Sequence, residues 1–183
     1  MGEWIDIVDE NGQPTGERVE REYAHSHGIR HRTAHLWLAR VKNGSTQILL
    51  QKRAANKDSH PGCYDISSAG HIPAGVDYKT SAIRELKEEL GIDAEERELI
   101  FCGDRKVVWD DHFHGKPFHD RQHSRVFLLL RDLPEDQVCV DKSEVESVCW
   151  MDFDQCCQGV QNNRFPHCIS LNELEMLKKA LYK

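Results

Sequence analysis

No stretch of this sequence approaches the roughly 20 consecutive apolar residues that a membrane-spanning helix requires. The opening residues, "MGEWIDIVDENG", lack the basic-then-apolar order of a signal peptide. Gly2 hints at myristoylation, but position 6 is aspartate where that signal wants serine or threonine. Positive charge is not in excess either. A net charge of −7 argues against nucleic acid or an anionic membrane as the main partner. The seven cysteines form no CxxC pair, and their number is odd, so neither a disulfide framework nor a zinc knuckle is indicated. Reduced thiols in a cytoplasmic protein are the expectation. Repeats, low-complexity tracts and long linkers are absent. At 183 residues the chain holds one full core and not comfortably two.

What is present reads as short strands interleaved with helices. "EWIDIVD", a turn at "ENGQPTG" and "ERVER" form an expected hairpin over the first twenty residues. A histidine-rich stretch follows, "YAHSHGIRHRTAH". Then "AHLWLARV" and "QILLQKRA" flank "KNGST", whose Asn-Gly pair is a strong hairpin signal. "HPGCYDISSAG" is a turn leading into a short strand, and "LIFCGDRKVVW", "SRVFLLLR" and "SVCWMDF" are further strands. The chain closes on an amphipathic helix, "SLNELEMLKKALYK". Between them, Tyr78 to Leu90 is helical in pattern, with Ile83, Leu86 and Leu90 on one stripe, Asp77 as N-cap and Gly91 just past the end.

That helix carries Glu85, Glu88 and Glu89 at i, i+3 and i+4, so the three carboxylates share a face. Like charges at this spacing repel by a few tenths of a kcal/mol per pair. Arg84 is placed to pair with Glu88 one turn on, which relieves only part of the repulsion. The face turns away from the apolar stripe, toward solvent or a cleft. Hard divalent cations prefer such oxygen donors, and they both neutralise phosphate oxygens and make water more acidic.

Gly70, Arg84-Glu85-Leu86, Glu88-Glu89 and Gly91-Ile92 resemble the Nudix box, a glycine, five residues, a glutamate, seven residues and then R-E-U-x-E-E-x-G-U with U aliphatic. Eight of its nine specified positions are met, and the miss is the first glutamate, replaced by Val76. Chance would produce this about once in 10⁸ positions. The resemblance covers residues 30–155 and implies an α/β Nudix fold, a mixed β-sheet between α-helices, here extended by the N-terminal hairpin. The expected organisation is a single Nudix domain over 1–183, with a hairpin extension at 1–29, a core at 30–155 and a C-terminal helix at 156–183. It also implies metal ligation by Glu85, Glu88 and Glu89 with the carbonyl of Gly70, Mg²⁺ or Mn²⁺ as cofactor, and Arg84 orienting the acids. In the family the first box glutamate supports the arginine, so Val76 costs a supporting group more than a ligand, and Asp77 is the adjacent acid that could replace it. The base is one of Glu88, Glu89 or Glu144; Glu144 resembles a recurring Nudix carboxylate and is a further candidate ligand. Dimers are frequent in the family, so a homodimer is a possible assembly.

The N-terminal half also resembles isopentenyl-diphosphate isomerase, through the leading hairpin, "LLQKRAANKDSHPGCYDISSAGH" and a set of histidines. The isomerase's metal histidines match His25, His31 and His71, and its diphosphate-contacting basic residues match Arg21, Arg53 and Lys57. The departures are chemical. The isomerase's catalytic cysteine is Ala69 here, and its glutamate ligands fall on Asp120 and Gln122. Alanine cannot move a proton, so isomerisation is not expected and diphosphate hydrolysis is. A nucleoside diphosphate or derivative is the family default. A prenyl diphosphate is the runner-up, and a non-catalytic ligand-binding module is the reading from another class.

Overall fold

The leading hairpin is present, with a shorter reversal than the sequence suggests. The computed structural model describes residues 2–182, and β1 (Trp4–Val8) pairs antiparallel with β2 (Pro14–Glu20). Asp9 ties the turn by accepting from the backbone N–H groups of Asn11 and Gln13 at 2.8 and 2.9 Å. Gly12, at φ +75°, lies against the His123 ring, which would sit 2.4 Å from any Cβ there. The hairpin tip therefore docks on the body of the molecule.

The histidine-rich stretch contains a helix that its pattern does not announce, α1 (Arg21–His27), ended by Gly28 in the left-handed region. Then come β3 (His31–Lys42) and β4 (Ser45–Arg53), joined by Asn43-Gly44 with φ of 52° and 76°. Both central residues left-handed is the geometry that matches strand twist in a two-residue hairpin. The short strands β5 (Tyr64–Asp65) and β6 (Ser68–His71) lead to α2 (Tyr78–Leu90). Asp77 caps α2, accepting from the N–H groups of Lys79 and Thr80, and Gly91 ends it at φ 69°. The strands β7 (Ile100–Phe113) and β8 (Lys116–Leu130) form one long hairpin. β9 (Val145–Asp152) runs straight into α3 (Phe153–Gln161), and α4 (Leu171–Leu181) follows.

Two helices thus occupy the end of the chain where one was expected. α3 was hidden because its cap, Asp152, is also the last residue of β9, and because its buried stripe, Phe153, Cys156 and Val160, includes a cysteine.

The large sheet runs β5-β4-β3-β8-β7, with β6 beside β3 and β9 beside β4. β3 and β8 are parallel and the other pairs antiparallel, so the sheet is mixed. Alternation along β3 serves two cores. Ala34, Leu36 and Leu38 face Leu86 and Leu90 of α2, while Trp37 and Ala39 face Phe153, Leu174 and Leu177 of α3 and α4. Helices cover both faces, as the α/β reading requires.

The extension also braces the loop that precedes α2. Ala74 N–H donates to Trp4 O at 2.8 Å, and Gly75 N–H donates to Asp6 Oδ2 at 2.9 Å. Arg32 Nη2 donates to Asp6 Oδ2 at 2.7 Å and to Val76 O at 2.9 Å. Both ionic partners are largely buried. Asp6→Ala strands the Arg32 charge and should lower the unfolding free energy by about 3 kcal/mol. Urea unfolding checks this, and an unchanged midpoint would mean the hairpin is not a brace.

Candidate active site

A cleft of about 850 Å³ opens along one face and one edge of the sheet. Its acidic edge is made by α2 and β6. Glu85, Glu88 and Glu89 all border the cleft, with Glu89 buried, Glu85 partly buried and Glu88 exposed. Gly70 permits the approach: a Cβ there would lie 2.1 Å from Glu85 Cδ and 2.4 Å from its Cγ, so any side chain would displace the Glu85 carboxylate from this position. Glu89 is 9% exposed, and its Oε2 has no hydrogen-bond partner. Burial pushes its carboxyl up to about 8, offset only in part by the neighbouring Ser68 hydroxyl. Glu85 is pushed up to about 7, by burial first, with Arg84 pulling down and Glu88 and Glu3 pushing up. Carboxylates that burial makes costly, one with an orphaned oxygen, suit a hard cation such as Mg²⁺ or Mn²⁺.

Arg84 pairs with Glu85 rather than with Glu88, and its Nη2 also donates to His71 O at 3.4 Å. Its buried Nε finds no partner. Val76, at the box position the family fills with glutamate, packs its side chain on the apolar core beneath α2. Asp77 does not substitute. It is fully engaged in capping, and its Oδ2 accepts from Thr80 Oγ1 at 2.6 Å.

The histidines converge. His25 of α1, His31 of β3 and His71 of β6 present ring nitrogens that all lie within 4.8 Å of one another. Asp120 Oδ1 on β8 lies 3.7 Å from His25 Nε2 and 3.6 Å from His31 Nε2. Both His31 Nε2 and Asp120 Oδ1 are buried without a hydrogen-bond partner. Gln122 Nε2 donates to the other Asp120 oxygen at 2.7 Å. Burial holds His25 down to about 3 and His31 to about 4, and takes His71 well below its ordinary value. Burial likewise pushes Asp120 up to about 6. Neutral imidazoles with inward lone pairs beside a carboxylate are a donor set for a transition metal.

The basic candidates all line the cleft, and each already holds a carboxylate. Arg21 meets Glu3 at 3.1 Å, Arg53 meets Asp65 at 3.2 Å, and Lys57 meets Glu144. Arg53 also donates to Ser59, tying down the loop after β4.

Several cleft residues gave no signal in the sequence: Arg105, Trp109 and Phe118 on the β7–β8 hairpin, His35 on β3 and Glu173 on α4. Glu173 is 1% exposed and accepts from His35 Nδ1 at 2.7 Å, Trp37 Nε1 at 3.0 Å and Arg105 Nη1. Burial works against its ionisation, but His35 and Arg105 hold it well below the usual carboxylate range. Its position beside Leu174 and four before Leu177, inside the buried arc of the helix, was the available clue.

The family model of the NUDIX domain matches residues 30–167. The chain belongs to the Nudix family. An uncharacterized Nudix hydrolase of Clostridium acetobutylicum is 32% identical over 160 residues, covering 87% of this chain and 75% of that protein. Nudix hydrolase 3 of Arabidopsis thaliana is 36% identical over 159 residues, 84% of this chain, which spans 20% of the plant protein's length. Among solved structures, a Deinococcus radiodurans protein superposes with a TM-score of 0.68 at 16% identity, covering 99% of this chain and 100% of that one. The Nudix domain of Shewanella oneidensis NrtR, solved with ADP-ribose, superposes with a TM-score of 0.59 at 14% identity, covering 82% and 87%. These likenesses speak to the fold; the sequence relatives make this a Nudix hydrolase. No helix among the described residues is long and apolar enough to cross a membrane.

The raised Glu85 and Glu89 carboxyls set a pH dependence for the metal-free Nudix protein. A carboxyl raised in the folded state contributes stability fully below its unfolded value near 4.5, and loses it as pH climbs through the folded value. The window here runs through about 7 and 8. The depressed histidines act in the opposite sense, losing stability as pH falls below about 6.5, and leave this window clear. In chelator, the melting temperature should therefore fall between pH 6.5 and 8.5. Mg²⁺ or Mn²⁺ should raise it more at pH 8.5 than at pH 6.5, and Glu89→Gln should flatten the profile. A melting temperature that rises with pH in chelator would contradict the assignment.

Proposed function

We propose that this Nudix protein is a divalent-metal-dependent pyrophosphohydrolase that cleaves a diphosphate linkage in a small molecule, with the whole chain acting as one unit. The observation that carries this reading is the convergence of Glu85, Glu88 and Glu89 on a cleft edge where Glu89 Oε2 has no partner. These three side chains, with the Gly70 carbonyl, would hold Mg²⁺ or Mn²⁺. When bound, such an ion neutralises diphosphate oxygens and lowers the pKa of water. Arg84 keeps Glu85 oriented through their ion pair. Arg21, Arg53 and Lys57 supply positive charge along the route of the diphosphate, each held in place by its own carboxylate. Among the candidate bases, Glu144 is committed to Lys57, which favours Glu88 or Glu89 for taking the proton from attacking water.

The substrate we favour is a nucleoside diphosphate or derivative, the class to which ADP-ribose, bound in the NrtR structure, also belongs. The similarity to the isopentenyl-diphosphate isomerase branch lends a second reading its support at one point only. The meeting of His25, His31, His71 and Asp120 around orphaned lone pairs favours a separate, nitrogen-rich metal site. With Ala69 at the position of the isomerase's catalytic cysteine and Gln122 at one of its glutamate-ligand positions, that site would serve binding rather than carbon protonation.

Hydrolysis should be found in a screen of nucleoside diphosphates, ADP-ribose and prenyl diphosphates with Mg²⁺ and Mn²⁺. Glu88→Gln and Glu89→Gln should each lower kcat about 100-fold or more. Absence of turnover on every compound would favour a binding module instead. For the histidine set, purified protein should carry a transition metal measurable by mass spectrometry, and His71→Ala should lose most of it. Unchanged metal content would remove that site.

A further inference from the structure

Beyond the acidic edge and the histidine cluster, the cleft has a wall that neither uses. Strand alternation builds it. Thr33 and His35 of β3 lie beside Ser124 and Val126 of β8, and Arg105 and Val107 of β7 pair across to Ser124 and Gln122. Thr33, His35, Gln122, Arg105 and Val107 all border the cavity. Glu173 enters from the first turn of α4 and lies behind them.

Its carboxylate orients two of these side chains at once. His35 Nδ1 and Arg105 Nη1 both donate to Oε1, and Trp37 Nε1 donates to Oε2. The shared oxygen keeps the imidazole and the guanidinium side by side. His35 turns Nδ1 to the carboxylate and leaves Nε2 with Thr33 Oγ1 at 3.5 Å. Arg105 is anchored through Nη1 alone, and its other guanidinium N–H groups have no partner among the described residues. The wall therefore offers the cavity a guanidinium donor edge next to an imidazole nitrogen. At the mouth stand flat rings: Trp109 lies 5.7 Å from Phe118, and His60 stacks on Trp109 at 5.1 Å and 27°.

A hydrocarbon chain seated here would strip water from Arg105, His35 and Gln122 and return no hydrogen bonds, which is costly. A flat ring bearing heteroatoms replaces that water and stacks in the aromatic mouth. We propose that Arg105 and His35, positioned by Glu173, are the specificity-determining residues that hydrogen-bond the nucleoside portion of the substrate and turn away prenyl diphosphates. The proposal rests on the reading of this cleft as a diphosphate site and adds what that site selects.

Binding, measured apart from turnover, tests it. Isothermal titration of the full chain with Mn²⁺ present would use α,β-methylene-ADP and α,β-methylene-UDP as nucleoside probes. Methylenediphosphonate serves as the bare headgroup, and a geranyl methylenediphosphonate as the hydrocarbon probe. Wild type should bind at least one nucleoside probe about tenfold or more tighter than the headgroup, and the geranyl probe no tighter than the headgroup. Arg105→Ala, on a partly exposed side chain, should remove most of that advantage while headgroup affinity stays within about twofold. Glu173→Gln should erode the same ratio, a selective change that general loosening of the fold would not produce. Equal weakening of all probes, no weakening, or tight geranyl binding would overturn the proposal. So would a wild type that binds none of them. If the probe pattern holds and no compound is hydrolysed, the catalytic reading fails and the specificity assignment stands.

Discussion

The contact on which the site depends is the approach of β6 to α2 at Gly70. A helix with three acids ordinarily turns them to water, where each carboxylate keeps its hydration. Here Leu86 and Leu90 pack on the core, and Ser81, Ala82 and Glu89 are buried with them. With no Cβ at residue 70, the strand closes to within contact of the Glu85 side chain. The acidic face is drawn over the end of the sheet and partly dried. Repulsion among the glutamates, minor on a solvated helix, becomes a burial cost that raises Glu85 and Glu89 toward neutrality. Folding concentrates this burial cost at one place, and a divalent cation is the kind of group that would relieve it.

Charge pairing around the cleft makes this cost local. Arg21, Arg53, Lys57 and Arg105 line the cavity, and these and Arg84 are each matched by a carboxylate: Glu3, Asp65, Glu144 and Glu173, with Glu85 for Arg84. Among the described residues, Glu88 and Glu89 have no such cation. Val76 fits this balance. It adds no further carboxylate beside the acids of α2, and its apolar side chain packs on the core, while Arg84 Nε is buried without a partner. The loop is held instead by Arg32 and Asp6, so the N-terminal hairpin contributes to placing α2.

How much of this the sequence disclosed depends on the kind of signal. α2 was legible to the residue, because cap, stripe and terminal glycine agree with one another. Its acids and Gly70 were legible because their spacing is set by chemistry. The histidine cluster was recoverable only by resemblance, since His25, His31 and His71 come from three elements and meet through the crossing of α1, β3 and β6. Arg105 and Glu173 were invisible. One is an arginine on a half-exposed strand and the other a glutamate in an amphipathic helix, both ordinary until the sheet and α4 bring them together. Arg84 was assigned the wrong partner because helix spacing counts neighbours along the helix, whereas the close strand pushes Glu85 toward it.

The cleft combines surfaces of different chemical hardness on one sheet. Carboxylate oxygens occupy the α2 edge, imidazole nitrogens the α1–β3–β6 corner, and a hydrogen-bonding wall the β3–β7–α4 side. Position 69 beside the histidines is alanine and position 122 is an amide, so neither exchanges a proton with a carbon skeleton. The wall beyond them disfavours a hydrocarbon on solvation grounds alone. These features come from separate strands and separate physical arguments, one about proton transfer and one about desolvation. Both favour, for the proposed diphosphate substrate, a polar remainder held by hydrogen bonds.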